Sequence, residues 1–362
     1  MSQDKLIIGF VRRGYSPSGG AEAYLKRLAK GVADLGHRVQ LLADDWPDAE
    51  WPFGKMTRLR ARSTIAFADE LEKVRSRSRC DVLMSLERVW RCDVYRAGDG
   101  VHRAWLNRRG KRSVFASLNF KHRQILQLEE SLFAKGGAGR VIANSEMVKQ
   151  EIVDLYHYPA NKIDIVRNGV PLEDFRFDAD VREKAREWLQ LKTSDVAALF
   201  VGTGWERKGL RFAIDAVEAC RDRRVRLFIA GRGNPRQYKS ERAQFLDELP
   251  DVRRAFAAAD VFILPTLYDP FSNACLEALA SGLPVITTRA NGFSEVIENS
   301  VHGSIVDLAN DVATLTDALV FWSDDARRTS ARSTIIERAS QFDISKNVEQ
   351  TLAILLQVAR ST

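Results

Sequence analysis

The sequence predicts an α/β protein of two domains, each built on a parallel sheet. Three observations carry that expectation. A chain of 362 residues exceeds one comfortable hydrophobic core and suits two units of roughly 150 to 200 residues. Short apolar runs alternate with segments of helical periodicity, the pattern of strands buried on both faces and joined by crossover helices. The runs end repeatedly in loops bearing glycine or charge, and in open α/β sheets ligands bind outside the carboxyl ends of the strands. Two lobes of this kind imply a cleft.

The elements follow in order. Residues 6–11 read as a strand, and residues 21–35 as a helix with Tyr24, Leu25, Leu28 and Val32 on one stripe. Gly36 stops that helix, and residues 39–42 form the next strand, completing a βαβ unit. Further strands are expected at 82–85, 94–97, 141–144 and 163–166. Asn168-Gly169-Val170-Pro171 is turn chemistry followed by an acidic, irregular stretch, so residues 168–180 read as the interdomain linker. A second series of apolar runs begins after it, at 197–202, 226–230, 261–265 and 285–288. The expected domains are therefore 1–167 and 181–344, with a last helix at about 345–362 that returns to the first domain.

Composition excludes several classes. Hydrophobic residues make up 45% and charged residues 28%, ordinary for a globular protein and without the bias of a disordered chain. Cys80, Cys92, Cys220 and Cys275 lie in apolar stretches without paired metal-ligand spacing, which suits free thiols in a reducing compartment. The first apolar run is interrupted by Arg12 and Arg13, too soon for a signal core or a membrane span, so the cytoplasm is expected. The net charge of +7 is unevenly spread: from Arg103 to Lys135 eight Lys and Arg face only Glu129 and Glu130, interleaved with Trp105, Phe115, Phe120 and Phe133.

Four strand-end loops hold the candidate chemistry. Ser16-Pro-Ser-Gly-Gly20 runs into a helix, where backbone N–H groups can approach an anion, although such a loop can equally be a plain chain reversal. Gly202 to Gly209 places Arg207 beside Lys208 before a helix; the pair can neutralise a diphosphate, and otherwise is a solvated basic turn. Tyr268-Asp-Pro-Phe-Ser-Asn-Ala-Cys-Leu-Glu277 puts Asp269 in a loop and Glu277 along the next helix. The free N–H groups of that helix suit phosphate and two carboxylates suit sugar hydroxyls, whereas the plain reading makes them a helix-dipole partner and a surface residue. Gly98-Asp99-Gly100-Val101-His102 brackets an acid with glycines near a histidine, either a proton-handling loop or a capped turn. Asp178-Ala-Asp180 falls away from any strand end, and neither a zinc cluster nor a Gly-x-Ser-x-Gly elbow is present.

Taken together these loops resemble the glycosyltransferases of family four. The likeness rests on Gly19-Gly20-Ala21-Glu22, Asn168-Gly169-Val170, Gly202 to Gly209, Ala259-Asp260-Val-Phe-Ile-Leu-Pro265, and Asp269 to Glu277 followed by Ala278-Leu-Ala-Ser-Gly-Leu-Pro-Val285. It implies the GT-B architecture, two Rossmann-like domains facing a central cleft, and a retaining transfer from a nucleotide diphosphate sugar without a bound metal or other cofactor. On that reading Arg207 and Lys208 stabilise the diphosphate as charge grows on it, Glu277 holds the ribose, and Asp269 holds a donor-sugar hydroxyl. The donor site extends to Gly19, Gly20, Gly202, Gly231, Arg232, Phe271, Ser272 and Asn273. Asp269 stands where the family usually has Glu. Asp99 and His102 match the acceptor-side loop.

Within the family, Cys92 to Asp99 and the basic aromatic segment are similar to the group of glucosyltransferases that extend the lipopolysaccharide core. That implies UDP-glucose as donor and a lipopolysaccharide core or related glycolipid as acceptor. Arg108, Arg109, Lys111, Arg112, Lys121 and Arg123 are then expected at an anionic membrane surface, on the cytoplasmic face. No nucleic-acid motif is apparent. The alternatives are a sugar-nucleotide epimerase of the same fold and a non-enzymatic basic module binding membrane or nucleic acid.

Overall fold

The computed structural model describes residues 5–16, 20–75, 79–109 and 119–361. The chain divides into two compact units, one of Met1–Arg167 with Ser345–Thr362 and the other of Asn168–Ile344.

The first unit carries β1 (Ile7–Val11), α1 (Gly20–Asp34), β2 (Arg38–Ala43), β3 (Gly54–Arg58), α2 (Thr64–Arg75), β4 (Val82–Ser85), β5 (Cys92–Arg96), α3 (His102–Arg108), α4 (Phe120–Phe133), β6 (Ala138–Ala143), α5 (Glu146–Tyr156) and β7 (Ile163–Ile165). Its strands pair in the order β3-β2-β1-β4-β5-β6-β7, all in parallel. The expected stripe of α1 is buried, with Leu25, Leu28 and Val32 fully enclosed. Gly36, at φ +88°, ends it in the left-handed region. The last helix, α13 (Ile344–Ser361), packs on α1: a Cβ on Gly31 would lie 2.6 Å from a Val348 methyl.

The second unit carries α6 (Ala179–Trp188), β8 (Val196–Val201), α7 (Trp205–Lys208), α8 (Leu210–Ala219), β9 (Val225–Ala230), β10 (Ala243–Phe245), α9 (Arg253–Ala258), β11 (Val261–Leu264), α10 (Asn273–Ala280), β12 (Val285–Thr288), β13 (Gly303–Val306), α11 (Val312–Trp322) and α12 (Asp325–Ser340). Its parallel sheet runs β10-β9-β8-β11-β12-β13. The β8 run Val-Ala-Ala-Leu-Phe and all of β11 are buried, as strands covered on both faces must be. Each sheet reverses its strand order once, between β1 and β4 and between β8 and β11, and ligands bind at such switch points.

Residues 168–180, read from sequence as a linker, belong to the second unit. Val170 and Phe175 enter its core, and the Phe175 ring meets Phe256 edge-on at 5.6 Å. Val170 also bridges to Asp343, and a Cβ on Gly169 would lie 2.6 Å from the Ile344 Cα, so the segments entering and leaving this unit touch. Turn residues suggested a tether; the apolar residues between them fasten it down.

Candidate active site

In the second unit three strand-end loops are pressed together by glycines. After β8, the Gly202 N–H donates to the Ala230 carbonyl at 3.0 Å, and after β9 a Cβ on Gly231 would lie 2.2 Å from the Gly202 oxygen. Gly209 has φ +77°, and a Cβ there would lie 1.9 Å from the Pro265 oxygen, beyond β11. No side chain fits at either contact.

This contact puts the two expected cations against the loop after β11. Arg207 Nη1 donates to the Tyr268 carbonyl at 3.1 Å, while the Arg207 carbonyl accepts from the Leu267 N–H and the Thr266 hydroxyl, both at 2.9 Å. Lys208 Nζ is ion-paired with the Asp269 carboxylate. Asp269 is itself buried, and its backbone is held by the loop after β12, donating to the Ala290 carbonyl and accepting from the Gly292 N–H, each at 2.9 Å. The carboxylate expected to meet a sugar hydroxyl is here paired with Lys208. Its reason is reach: both side chains leave neighbouring strand ends and converge in a largely dry space, where opposite charges pair.

The helix after Asp269 begins as expected. Ser272 is the N-cap of α10 and accepts from the Cys275 N–H. Asn273, in the first turn, accepts from Asn168 Nδ2 at 2.7 Å, and half-buried Glu277 follows one turn later. Phe271 is a core residue, its ring edge-on to Phe293 at 5.8 Å. Arg232 lies exposed at the rim, 3.4 Å from Glu248. Asn291, not singled out by sequence, is fully buried and braces the loop: Oδ1 accepts from the Ser272 and Phe293 N–H groups at 3.2 and 3.1 Å, and Nδ2 donates to Thr287 at 3.0 Å. Its only signal was the turn pair Asn291-Gly292. Burial pushes the neighbouring Cys275 thiol up to about 12, which suits a packing thiol.

In the first unit the strand-end loops converge on Arg12, beyond β1. Its guanidinium stands 2.9 Å from Glu22 of α1, 3.0 Å from Glu87 after β4 and 3.8 Å from exposed Asp99 after β5. Burial alone would lower Arg12, and Glu87, Asp99 and Glu22 overcome it and raise it above its ordinary value. Burial also pushes Glu87 up, against the attraction of Arg12 and with the repulsion of Asp99. Gly20 opens α1, whereas Gly19 lies outside the described residues.

His102 starts α3 on a buried carboxylate. Glu129 accepts from the His102 and Arg103 N–H groups at 2.7 and 3.0 Å, from the Tyr156 hydroxyl at 2.7 Å and from Arg88 Nε at 3.1 Å. Arg88 Nη2 donates to the Gly100 carbonyl at 2.8 Å, which ties the Asp99 loop to this network. The His102 ring is 2.9 Å from His122 Nδ1 through Nε2. Burial, then Arg88, holds His102 down to about 4, so it is neutral near pH 7 and one of the paired rings donates to the other. Among the described residues no three His, Cys, Asp or Glu side chains converge to hold a metal.

The basic segment is unevenly available. Arg108 pairs with Glu151 at 2.6 Å, and Arg109 lies over the Trp105 ring at 5.7 Å. Lys121 and Arg123 are exposed on the first turn of α4 beside Phe120, which is 72% exposed. Lys111 and Arg112 lie outside the described residues. Among the described residues no helix is long and apolar enough to cross a membrane.

Comparison with known proteins identifies this arrangement. Residues 18–174 match the model of Glycosyltransferase Family 4, and residues 195–325 that of Glycosyl transferases group 1. A probable transglycosylase of Burkholderia thailandensis is 28% identical over 98% of both chains. The lipopolysaccharide glucosyltransferase WaaG of Escherichia coli is 22% identical over 89% of this chain and 93% of its own. A crystal structure of WaaG superposes with a TM-score of 0.86 at 20% identity, covering 96% of this chain and 99% of that one. The Anabaena protein HepE, in complex with UDP and glucose, gives a TM-score of 0.74 at 19% identity over 97% and 99%. Fold and site therefore define a GT-B glycosyltransferase that uses a nucleotide sugar. The two glycosyltransferase models, Family 4 and group 1, together span most of the chain, and its fold is that of WaaG.

Proposed function

We propose that the protein transfers glucose from UDP-glucose, with retention at the anomeric carbon, to a lipopolysaccharide core or related membrane glycolipid, without a bound metal. The observation that carries the reading is the convergence of Arg207, Lys208 and the start of α10 on one sheet edge, with Glu277 one turn further on. Cations and free helix N–H groups suit a diphosphate, and a carboxylate suits ribose hydroxyls. The relative WaaG is a lipopolysaccharide glucosyltransferase, and HepE binds UDP and glucose. In the reaction the bond from the sugar C1 to the diphosphate oxygen breaks and that to the acceptor oxygen forms. The acceptor proton passes to the leaving phosphate, and Arg207 and Lys208 stabilise the charge that develops there. Asp269 orients Lys208 through the ion pair. Asp99 positions the acceptor hydroxyl, and neutral His102 offers a hydrogen bond without competing charge.

The acceptor's lipid places the work at the cytoplasmic face of the inner membrane, where Lys121, Arg123 and Phe120 provide charge and an apolar anchor. The test is calorimetric titration of UDP, GDP and ADP into the wild type and Glu277→Gln. We expect UDP to bind selectively, and Glu277→Gln to weaken it by roughly 10- to 100-fold, the loss of a charged hydrogen bond. Preference for another base, or undiminished binding by a folded Glu277→Gln, overturns the assignment. Turnover by Asp99→Asn at the wild-type kcat removes Asp99 from the acceptor site.

A further inference from the structure

At the opposite end of the second sheet, Asp260 precedes β11 and gathers arginines. Arg182 and Arg186, one turn apart on α6, meet its Oδ1 and Oδ2 at 2.5 and 2.8 Å. Arg328 of α12 stands 3.6 Å from Oδ1, and the Ala197 N–H donates to Oδ2 at 2.8 Å. Asp260 is therefore saturated. These three arginines also donate to backbone carbonyls, Arg182 to Ala257 and Ala259, Arg186 to Ala258, and Arg328 to Trp322. They clamp α6 and α12 to the start of β11.

Arg332 does not share that role. One turn beyond Arg328, it rests its guanidinium 4.0 Å from the Phe177 ring centroid, and its stem passes beside Gly282, where a Cβ would lie 2.9 Å from Arg332 Cγ. Among the described residues it makes no hydrogen bond and no ion pair, although it is only half-buried. Four arginines here face two carboxylates, Asp260 and the Asp325 that already pairs with Arg328 at 3.0 Å. The excess positive charge is felt: burial lowers Arg332, and repulsion from Arg182 and Arg328 lowers it further, against the smaller attraction of Asp260 and Asp325. A planar fork of donors on an aromatic floor, with like charges behind it, is suited to take an anion.

We propose that Arg332, backed by Arg182 and Arg328, anchors a second anion site that takes a phosphate dianion, free or as the phosphomonoester of a small molecule. The site is at the amino end of the sheet and is independent of the donor site at the carboxyl edge. Occupancy neutralises the arginine cluster and stabilises the second unit by mass action.

Phenylglyoxal labelling of the full chain, read by peptide mass spectrometry, tests this on the unaltered protein. We expect inorganic phosphate to slow labelling of Arg332 at least about tenfold relative to chloride at equal ionic strength, the loss of free arginine when a site is about 90% filled. Protection by glycerol 3-phosphate as well identifies a phosphomonoester site; protection by inorganic phosphate alone identifies a site for the free ion. Because Lys208 also attracts phosphate, the binding constant is compared between Lys208→Met and Lys208→Met/Arg332→Met, where the second change should weaken binding about tenfold, one charge-assisted contact. Equal labelling in phosphate and chloride, or equal binding by the two variants, overturns the proposal.

Discussion

Lys208→Met separates what the Lys208–Asp269 pair does for the fold from what it does for the ligand. The two side chains are only 14% and 6% exposed. The Asp269 main chain cannot shift toward water, because its N–H and carbonyl are both bound by the loop after β12, and the residue is buried. Removing the ammonium leaves a carboxylate buried without its counter-ion, a change that costs about 3–5 kcal/mol. The slight exposure of Lys208 lets water share the charge, so the lower end, about 3 kcal/mol, applies. For a unit of this size each kcal/mol moves Tm by roughly 2–4 °C, so a fall of about 6–12 °C is expected.

Lys208→Met/Asp269→Asn removes both charges and should recover most of that loss, giving a coupling energy of about 2 kcal/mol. Nucleoside diphosphate binding should stay weak in both variants, since the cation is missing from each. Differential scanning fluorimetry reads the first quantity and calorimetry the second. An unchanged Tm in Lys208→Met, or a double variant no more stable than the single one, refutes the argument. Recovery of nucleotide binding in the double variant refutes the role given to Lys208.

Gly209→Ala must hold alanine in the left-handed region, at about 1–2 kcal/mol, and also collide with the Pro265 carbonyl; we expect a lower Tm and weaker diphosphate binding together, and unchanged values would show that the two loops can part freely. Burial and Arg88 hold His102 down to about 4, below its unfolded value near 6.5. Its contribution to stability is therefore complete above about pH 6.5 and is lost as pH falls toward 4, so His102→Asn should flatten the fall in Tm over that window, and parallel curves would contradict it. Phe120→Ser/Arg123→Glu should reduce sedimentation with anionic vesicles while leaving Tm within about 2 °C, as exposed changes do; undiminished sedimentation would move membrane contact away from α4.

What the sequence revealed follows from how each element is buried. The interior strands β1, β4, β8, β11 and β12 announce themselves as apolar runs because both faces are covered. The strands it missed, β3, β10 and β13, lie at sheet edges, where Gly-Lys-Met-Thr-Arg, Ala-Gln-Phe and Gly-Ser-Ile-Val give no such signal. Glycines at strand ends were legible because close backbone approach and a positive φ both call for them at Gly209 and Gly231. Charges were legible as types and not as pairs. Glu129 sits among basic residues on a helix that reads as solvated, yet four donors from Arg88, His102, Arg103 and Tyr156 enclose it. Asp269 shows the same limit within the candidate site. Its partner is 61 residues away in the chain, and the resemblance alone assigns it a sugar hydroxyl. Being one methylene shorter than Glu, and anchored by a backbone that Asn291 and its neighbours brace, its carboxylate stays at the level of the loop, where Lys208 meets it. The departure from the family's usual residue thus coincides with an ion pair to Lys208, the cation to which the proposed function gives the leaving group.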